Sequence, residues 1–275
     1  LDFYLWFRWR SPEIDPASTF EFINATESWG HTKALDYEKP VLFPNGELYQ
    51  VIHVQGKFSR KLPLFDYPFD KQRLGLEFED TSESVTNFQY VLDENPITMN
   101  PSLQLPGFKV AKPTIQLVSK SYPTNFGDLR EKTDQTYSRI VVDIPIERSV
   151  VAYVLKLIFP ILCVIFCAAL IFFLHPSRVD ARVGIGITAL LTIVALQMTL
   201  NEDLPEVDYL VLMDKIYLAG YLFVIACLAM VIRSARLNDQ IGDQMEKVYR
   251  LDKLSLMIIC PVYLLIVALI IARIL

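Results

Sequence analysis

The stretch Ser177–Pro205, SRVDARVGIGITALLTIVALQMTLNEDLP, constrains the chain most. At ~1.5 Å per residue, Asp180 to Glu202 as one helix is ~33 Å long, enough to cross a bilayer. Yet that helix is not uniformly apolar. An advance of ~100° per residue sets Asp180, Gly184, Thr188, Leu191, Ala195, Thr199 and Glu202 within an arc of about 100°. This face is acidic at both ends and small or hydroxylated between them. Leu191 is the bulky residue at its centre, and Met198, at the same angle as Asp180, is a possible second. A membrane helix striped in this way must face protein or water. Packing against a sister helix uses the same Gly, Ala and Thr. Carboxylates at both mouths favour a cation pathway lined by rings of acidic groups. A symmetric bundle of copies would turn the face toward a central axis, and Leu191 would close it by dewetting.

The remaining composition separates two halves. The 275 residues suggest about two domains. Apolar residues make up 52% of the chain, and nearly all long apolar runs follow Ser149. The net charge is −5 with no dense basic cluster, which excludes nucleic-acid binding. Cys163, Cys167, Cys227 and Cys260 all lie in apolar runs, so the first half holds no disulfide framework and no CxxC site. No signal peptide precedes Leu1, and the chain opens directly on a strand pattern, as expected of a mature or trimmed piece.

Residues 1–147 read as an antiparallel β-sandwich. Leu1–Arg10 alternates, with Phe3, Leu5, Phe7 and Trp9 on one face; Arg73–Glu79 sends Leu74, Leu76 and Phe78 inward and Arg73, Glu77 and Glu79 outward. Arg139–Glu147 repeats the pattern with Ile140, Val142, Ile144 and Ile146 on its buried side. Gln50–Lys57, Asn87–Leu92, Phe108–Ala111 and Thr114–Ser121 are further strand candidates, separated by Pro- and Gly-containing turns. His31 and His53 belong to no catalytic spacing, and no nucleophile elbow is present, so the chain does not read as an enzyme. Glu77, Glu79, Asp80 and Glu83 could hold Ca²⁺ through carboxylate oxygens, but they lack the spacing of a calcium-binding loop and read first as a solvated strand edge. No other cofactor is expected. Phe88, Tyr90, Tyr122, Phe126 and Tyr137 cluster near loops, where aromatic faces attract cationic ligands; sandwich core is the competing assignment.

Residues 148–275 read as four transmembrane helices over about 149–174, 178–202, 209–233 and 251–274. The first carries Lys156 and Pro160, and Pro160 frees a carbonyl that its surroundings must satisfy. The fourth is the most apolar and reads as lipid-facing. Arg178 and Arg182 flank one connection, and Arg233, Arg236, Lys247, Arg250 and Lys253 flank another, whereas Glu202, Asp203, Glu206 and Asp208 make the intervening one acidic. The positive-inside rule then places residues 175–182 and 233–253 in the cytoplasm, with the sandwich and the C-terminus outside.

This order of elements resembles the pentameric ligand-gated ion channels, the Cys-loop receptor superfamily. Lys61–Gln72, KLPLFDYPFDKQ, is similar to the signature loop of that family around its Pro68-Phe69-Asp70 core. The two loop cysteines of animal members would fall near Arg60 and Leu74, so the bridge is absent, as in bacterial members. Arg148 matches a family arginine at the domain junction, Pro160 the proline of the first helix, and Arg182–Leu191 the start of the pore helix ending on its gate leucine. Pro205 falls in the loop after that helix, and the connection of some 20 residues between the last two helices again resembles the bacterial branch. Two departures stand out. The family's outer domain begins with a further strand before the one Leu1–Trp9 resembles, and Phe20–Leu42 is shorter than usual and lacks a Trp-x-Pro-Asp loop.

The resemblance implies an α+β membrane protein: an outer β-sandwich ligand-binding domain over 1–147 and a four-helix transmembrane domain over 148–275. It implies a homopentamer of identical subunits, multi-pass in the cell (inner) membrane, gated by a small-molecule or ion ligand and passing monovalent cations through the bilayer. Tyr4, Phe88, Tyr90, Tyr122 and Phe126 match the aromatic agonist pocket, with Tyr4 and Tyr122 the best matches. Asp180, Gly184, Thr188, Leu191, Ala195, Met198, Thr199 and Glu202 would line the pore. Pro68, Phe69, Asp70, Arg148 and Pro205 would couple the domains, with an Asp70–Arg148 ion pair as brace. Arg182, about 200° from Asp180, points away from the pore and is the only support for an anion-selective alternative. A non-conducting membrane-anchored sensor would leave the acidic-ended stripe without a role, and a secondary transporter would need repeats that the sequence lacks.

Overall fold

A computed structural model describes residues 1–127, 135–202, 204–241 and 245–273. The first half runs β1 (Asp2–Trp9), α1 (Pro16–Thr19), β2 (Phe20–Phe22), β3 (Ala25–Thr26), β4 (Thr32–Leu35), β5 (Val41–Leu42) and β6 (Leu48–Gln55). It continues through β7 (Lys57–Phe58), β8 (Lys71–Asp80), β9 (Phe108–Val110), β10 (Thr114–Tyr122) and β11 (Gln135–Arg148). One sheet has the order β1-β6-β4 with β5 also on β6; the other has the order β10-β11-β8-β2 with β9 on β11; β3 and β7 form a separate ribbon. The chain divides into two compact units, Leu1–Leu62 with Lys71–Glu147 and Pro63–Asp70 with Arg148–Leu275. The signature loop therefore groups with the helices.

Alternation builds the core of the first unit. Phe3 lies opposite Val54 and Leu5 opposite Ile52 in one sheet; Ile140 lies opposite Phe78 and Val142 opposite Leu76 in the other. Their inward faces meet around Phe7, Phe20, Phe22, Ile52, Val54 and Phe78. Aromatic edges fill the space, with Phe20 and Phe22 centred 5.2 Å apart at 88°, close to the favoured T-shape.

The structure departs from the sequence expectation in four places. Asn87–Leu92 is not a strand; Phe88, Tyr90 and Leu92 alternate because they pack on the sandwich core, and the Tyr90 amide donates to Ser138 Oγ at 3.0 Å. Glu77, Glu79 and Asp80 are not at a solvated edge, because β8 is flanked by β11 and β2. The first membrane segment is not one regular helix: α2 (Val150–Tyr153) passes through a π turn (Val154–Ile158) into α3 (Phe159–Ala169) and ends in a 3-10 turn (Leu170–Phe173). Pro160 has no N–H for the regular ladder, and the Phe159 N–H instead donates to the Val154 carbonyl, five residues back. Finally, α5 (Leu212–Ile241) and α6 (Met245–Ala272) overrun the connection read between 233 and 253, leaving only 242–244 between them. Residues such as Arg236, Leu237, Lys247 and Arg250 are good helix formers, so these helices outlast their apolar stretches.

In the second unit α4 (Val179–Glu202) packs against α3 and α5, and α6 packs along α5. Ile161, Ile193, Met213, Val224 and Cys227 form its fully buried centre. At Gly186 a Cβ would come within 2.4 Å of Leu228 Cδ2, so the missing side chain is what lets α4 and α5 approach. Among the described residues four spans, 151–173, 179–202, 212–238 and 246–272, are long and apolar enough to cross a membrane.

The outer face of the second sheet carries a charge cluster rather than solvated acids. Arg139 is the register partner of Glu79. Its Nε and Nη2 reach Glu79 Oε2 at 3.0 and 2.9 Å, and Nη1 reaches Glu77 Oε2 at 3.0 Å. Arg139→Ala leaves the buried Glu79 carboxylate without its cation and is expected to cost the sandwich ~3–5 kcal/mol. Arg139→Met with Glu79→Leu should cost far less. Urea unfolding followed by the fluorescence of Trp6 and Trp9 checks this; equal losses in the two proteins would contradict it.

Candidate functional site: an exposed helix face and its tie to the signature loop

The α4 helix has two opposite sides. Arg182, Gly186, Ala189, Ile193 and Leu200 are buried at helical spacing. Asp180, Gly184, Thr188, Leu191, Ala195, Met198, Thr199 and Glu202 are all exposed, Leu191 by 63% and Met198 by 61%. The eight positions expected to share a face do so, and no other described part of the chain covers them. Each threonine on or beside this face donates its hydroxyl proton one turn back: Thr188 to Gly184 O at 2.8 Å, Thr192 to Thr188 O at 2.8 Å and Thr199 to Ala195 O at 3.1 Å. With its proton so engaged, each hydroxyl has lone pairs left to offer outward.

Arg182 is nowhere near that face. It is fully buried, and its guanidinium donates to Ile171 O at 3.1 Å, Ser234 Oγ at 3.3 Å and Asp252 Oδ2 at 2.8 Å.

Asp70 and Arg148 meet within the helical unit. Arg148 Nε donates to Asp70 Oδ1 at 2.9 Å, and Arg148 Nη1 to Tyr153 Oη at 3.2 Å. The guanidinium carbon sits 4.9 Å from the Tyr67 ring centre and 5.4 Å from that of Tyr153, within cation–π range. Leu64 and Tyr67 belong to the core of the helical unit, Phe69 packs on it, and Pro68 is buried. Pro205 is exposed, and Asp203 lies outside the described residues. Sequence reasoning missed the residues that dock the loop. Tyr209 stacks on Phe65 at 3.9 Å and its hydroxyl accepts from the Leu64 amide at 3.0 Å, while the Leu212 amide donates to Phe65 O at 2.9 Å. The clue was a pair of aromatics, Phe65 beside the signature core and Tyr209 just ahead of the third helix.

The aromatic residues matched to an agonist pocket separate into three places. Tyr90 and Phe88 pack on the core, with Tyr90 only 7% exposed. Tyr4 is exposed on β1, stacked on His53 at 4.6 Å. Tyr122 and Phe126 stand together, 5.5 Å between ring centres, with Tyr137 close to both. Phe126 has a φ of 53°, a left-handed backbone rare for an aromatic residue. Tyr122 donates to Glu79 Oε1 at 2.8 Å; burial, and then this hydrogen bond, hold its phenol above the usual tyrosine range. Glu77, Glu79, Asp80 and Glu83 do not converge on a cation site. Glu77 and Glu79 face Arg139, whereas Asp80 turns to the other side, accepting from Thr19 Oγ1 and from the amides of Ser82 and Glu83. Among the described residues no group of three or more His, Cys, Asp or Glu is arranged to hold a metal.

Residues 157–238 match the family model of the neurotransmitter-gated ion-channel transmembrane region. These include most of the first membrane segment, all of α4 and α5 as far as Asn238. Over this stretch the chain is similar to the pentameric ligand-gated ion-channel superfamily. The family is one of channels, not enzymes. An acetylcholine-gated chloride channel subunit of Caenorhabditis elegans is 25% identical over 204 residues, which are 74% of this chain and 42% of that protein. The chain thus spans less than half the length of that relative.

If the Asp70–Arg148 pair ties the family's signature loop to its helices, the two residues should be energetically coupled. A double-mutant cycle of Asp70→Asn and Arg148→Gln, read by thermal unfolding of the detergent-solubilised protein, is expected to give about 0.5–3 kcal/mol of coupling. Additive losses would contradict the tie.

Proposed function

We propose that this chain is a subunit of a homopentameric, ligand-gated, cation-selective channel whose pore is lined by the exposed α4 face. The observation that carries the reading is that face itself. It is acidic at both ends, it carries hydroxyls whose protons are already donated to the backbone, and it lies on a helix long and apolar enough to span a bilayer. Oxygen lone pairs and carboxylates attract cations; neither donates to an anion. Asp180 and Glu202 form the two charged mouths, and Leu191 is the apolar constriction between them. In this reading residues 1–147 are the outer, agonist-binding domain, and Tyr122 with Phe126 is its aromatic patch for a cationic or small polar ligand. Asp70, Arg148 and the loop at Pro205 transmit agonist binding to α4. Basic flanks at 175–182 and 233–253 support a cytoplasmic side there, with the sandwich and the C-terminus outside, in the cell membrane.

Anion selectivity is the second reading, favoured by the 25%-identical relative, a chloride channel subunit by name. The burial of Arg182 weighs against it, since the arginine nearest that mouth on α4 does not reach the exposed face.

Current through the purified chain in planar bilayers under a KCl gradient tests the reading. A reversal potential near that of K⁺ is expected, moving toward zero in Asp180→Ala; a value near that of Cl⁻ would overturn cation selectivity. Leu191→Ser should raise the resting open probability, because a hydroxyl wets the constriction. A Leu191→Ser protein whose resting current and activation both match the parent places the gate elsewhere.

A further inference from the structure

Arg182 is where the four membrane segments meet. Its three contacts come from three different places: the carbonyl of Ile171 at the end of the first segment, Ser234 on α5 and Asp252 on α6. Asp252 is itself only 2% exposed, and α6 is not among the helices packed along α4. Two residues before Arg182, Asp180 is exposed at the mouth of the α4 face, and Ala181 between them is exposed too. A single turn of helix thus carries a carboxylate at the surface and a guanidinium held inside. Arginine has a long flexible stem, and a guanidinium that loses its buried counter-charge moves its head to the nearest water. Here the nearest aqueous surface on the same turn is the mouth marked by Asp180.

We propose that Asp252 is a selectivity-determining positioning residue: by pairing with Arg182 it keeps that positive charge inside the bundle and leaves Asp180 to set the potential at the mouth. The inference rests on the α4 face being the ion pathway, and it assigns part of the selectivity to a helix that does not line the pathway. Arg178 is also exposed at this end, but it precedes α4 and is the same in every variant compared below, so it cancels.

The test reads the local potential directly and does not depend on conduction. Cys163, Cys167, Cys227 and Cys260 are replaced by Ala, and Ala181→Cys is introduced in the full chain reconstituted in liposomes. Its rates of reaction with a sulfonate-bearing and an ammonium-bearing thiosulfonate are then compared. Asp252→Asn should raise the sulfonate-to-ammonium rate ratio about tenfold, the effect of one unit charge ~6 Å away in water on two oppositely charged reagents. Arg182→Gln combined with Asp252→Asn has no charge to release and should keep the parent ratio. Should Asp252→Asn fail to reach the liposomes, Ser234→Ala removes one of the three tethers and is expected to shift the ratio in the same direction by less. A parent-like ratio in both Asp252→Asn and Ser234→Ala, or equal shifts in the single and double variants, overturns the proposal. Reversal potentials of the same proteins separate the two readings: an anion-selective or silent parent counts against the proposed cation channel, whereas the ratio alone decides the role of Asp252.

Discussion

A helix in hydrocarbon can satisfy its own backbone but not a row of hydroxyls and carboxylates along one side. That constraint orders the second half of this chain. The buried side of α4 uses Gly186, Ala189 and Ile193 to close against α3 and α5, with Leu228 of α5 seated on Gly186. The opposite side is left with Asp180, Gly184, Thr188, Ala195, Thr199 and Glu202 uncovered. The threonines are consistent with a helix that has to manage this by itself. Each returns its proton to the preceding turn, so no donor is left bare, and what remains for the outside is acceptor oxygen.

Charge is handled the same way elsewhere in the chain. The buried Arg139 and Arg182 and the half-buried Arg148 each sit against a carboxylate: Arg139 on Glu79 and Glu77, Arg148 on Asp70, Arg182 on Asp252. Pairs of this kind add little net stability over apolar packing, but removing one partner is costly. They therefore act as positional locks. Arg139 fixes the outer face of β8 against β11, Arg148 fixes the signature loop to the start of the first membrane segment, and Arg182 fixes the start of α4 to the other three segments.

The face of α4 was legible because its polarity repeats with the helical period over six turns, and the seclusion of Arg182 followed from its angle to Asp180 alone. Its partner was not legible. Asp252 lies 70 residues away, at the charged start of the fourth helix, and nothing in the sequence pairs it with α4. Hydropathy misplaced the ends of α5 and α6, since it reports the thickness of the membrane and not the length of a helix that continues past it. Strands with clean alternation, β1, β8 and β11, were found with their inward residues correct. Phe88, Tyr90 and Leu92 alternate as cleanly yet join no strand ladder, because burial of every second residue produces that pattern without one. The five aromatics matched to one ligand pocket were scattered by the fold for a related reason: residue type cannot distinguish an aromatic that fills a core from one that faces a ligand.

The claim on which the functional account stands is that water reaches the exposed side of α4 along its whole length and does not reach the other. Single cysteines at 184, 188, 191, 195 and 199, and at 189, 193 and 200, in a background free of native cysteine, measure this by their rate of reaction with a membrane-impermeant thiol reagent in liposomes. The account predicts rapid reaction across the first set and little or none across the second. Uniform protection of both sets, or reaction only at the two ends, would contradict it and would return α4 to the role of a packing helix.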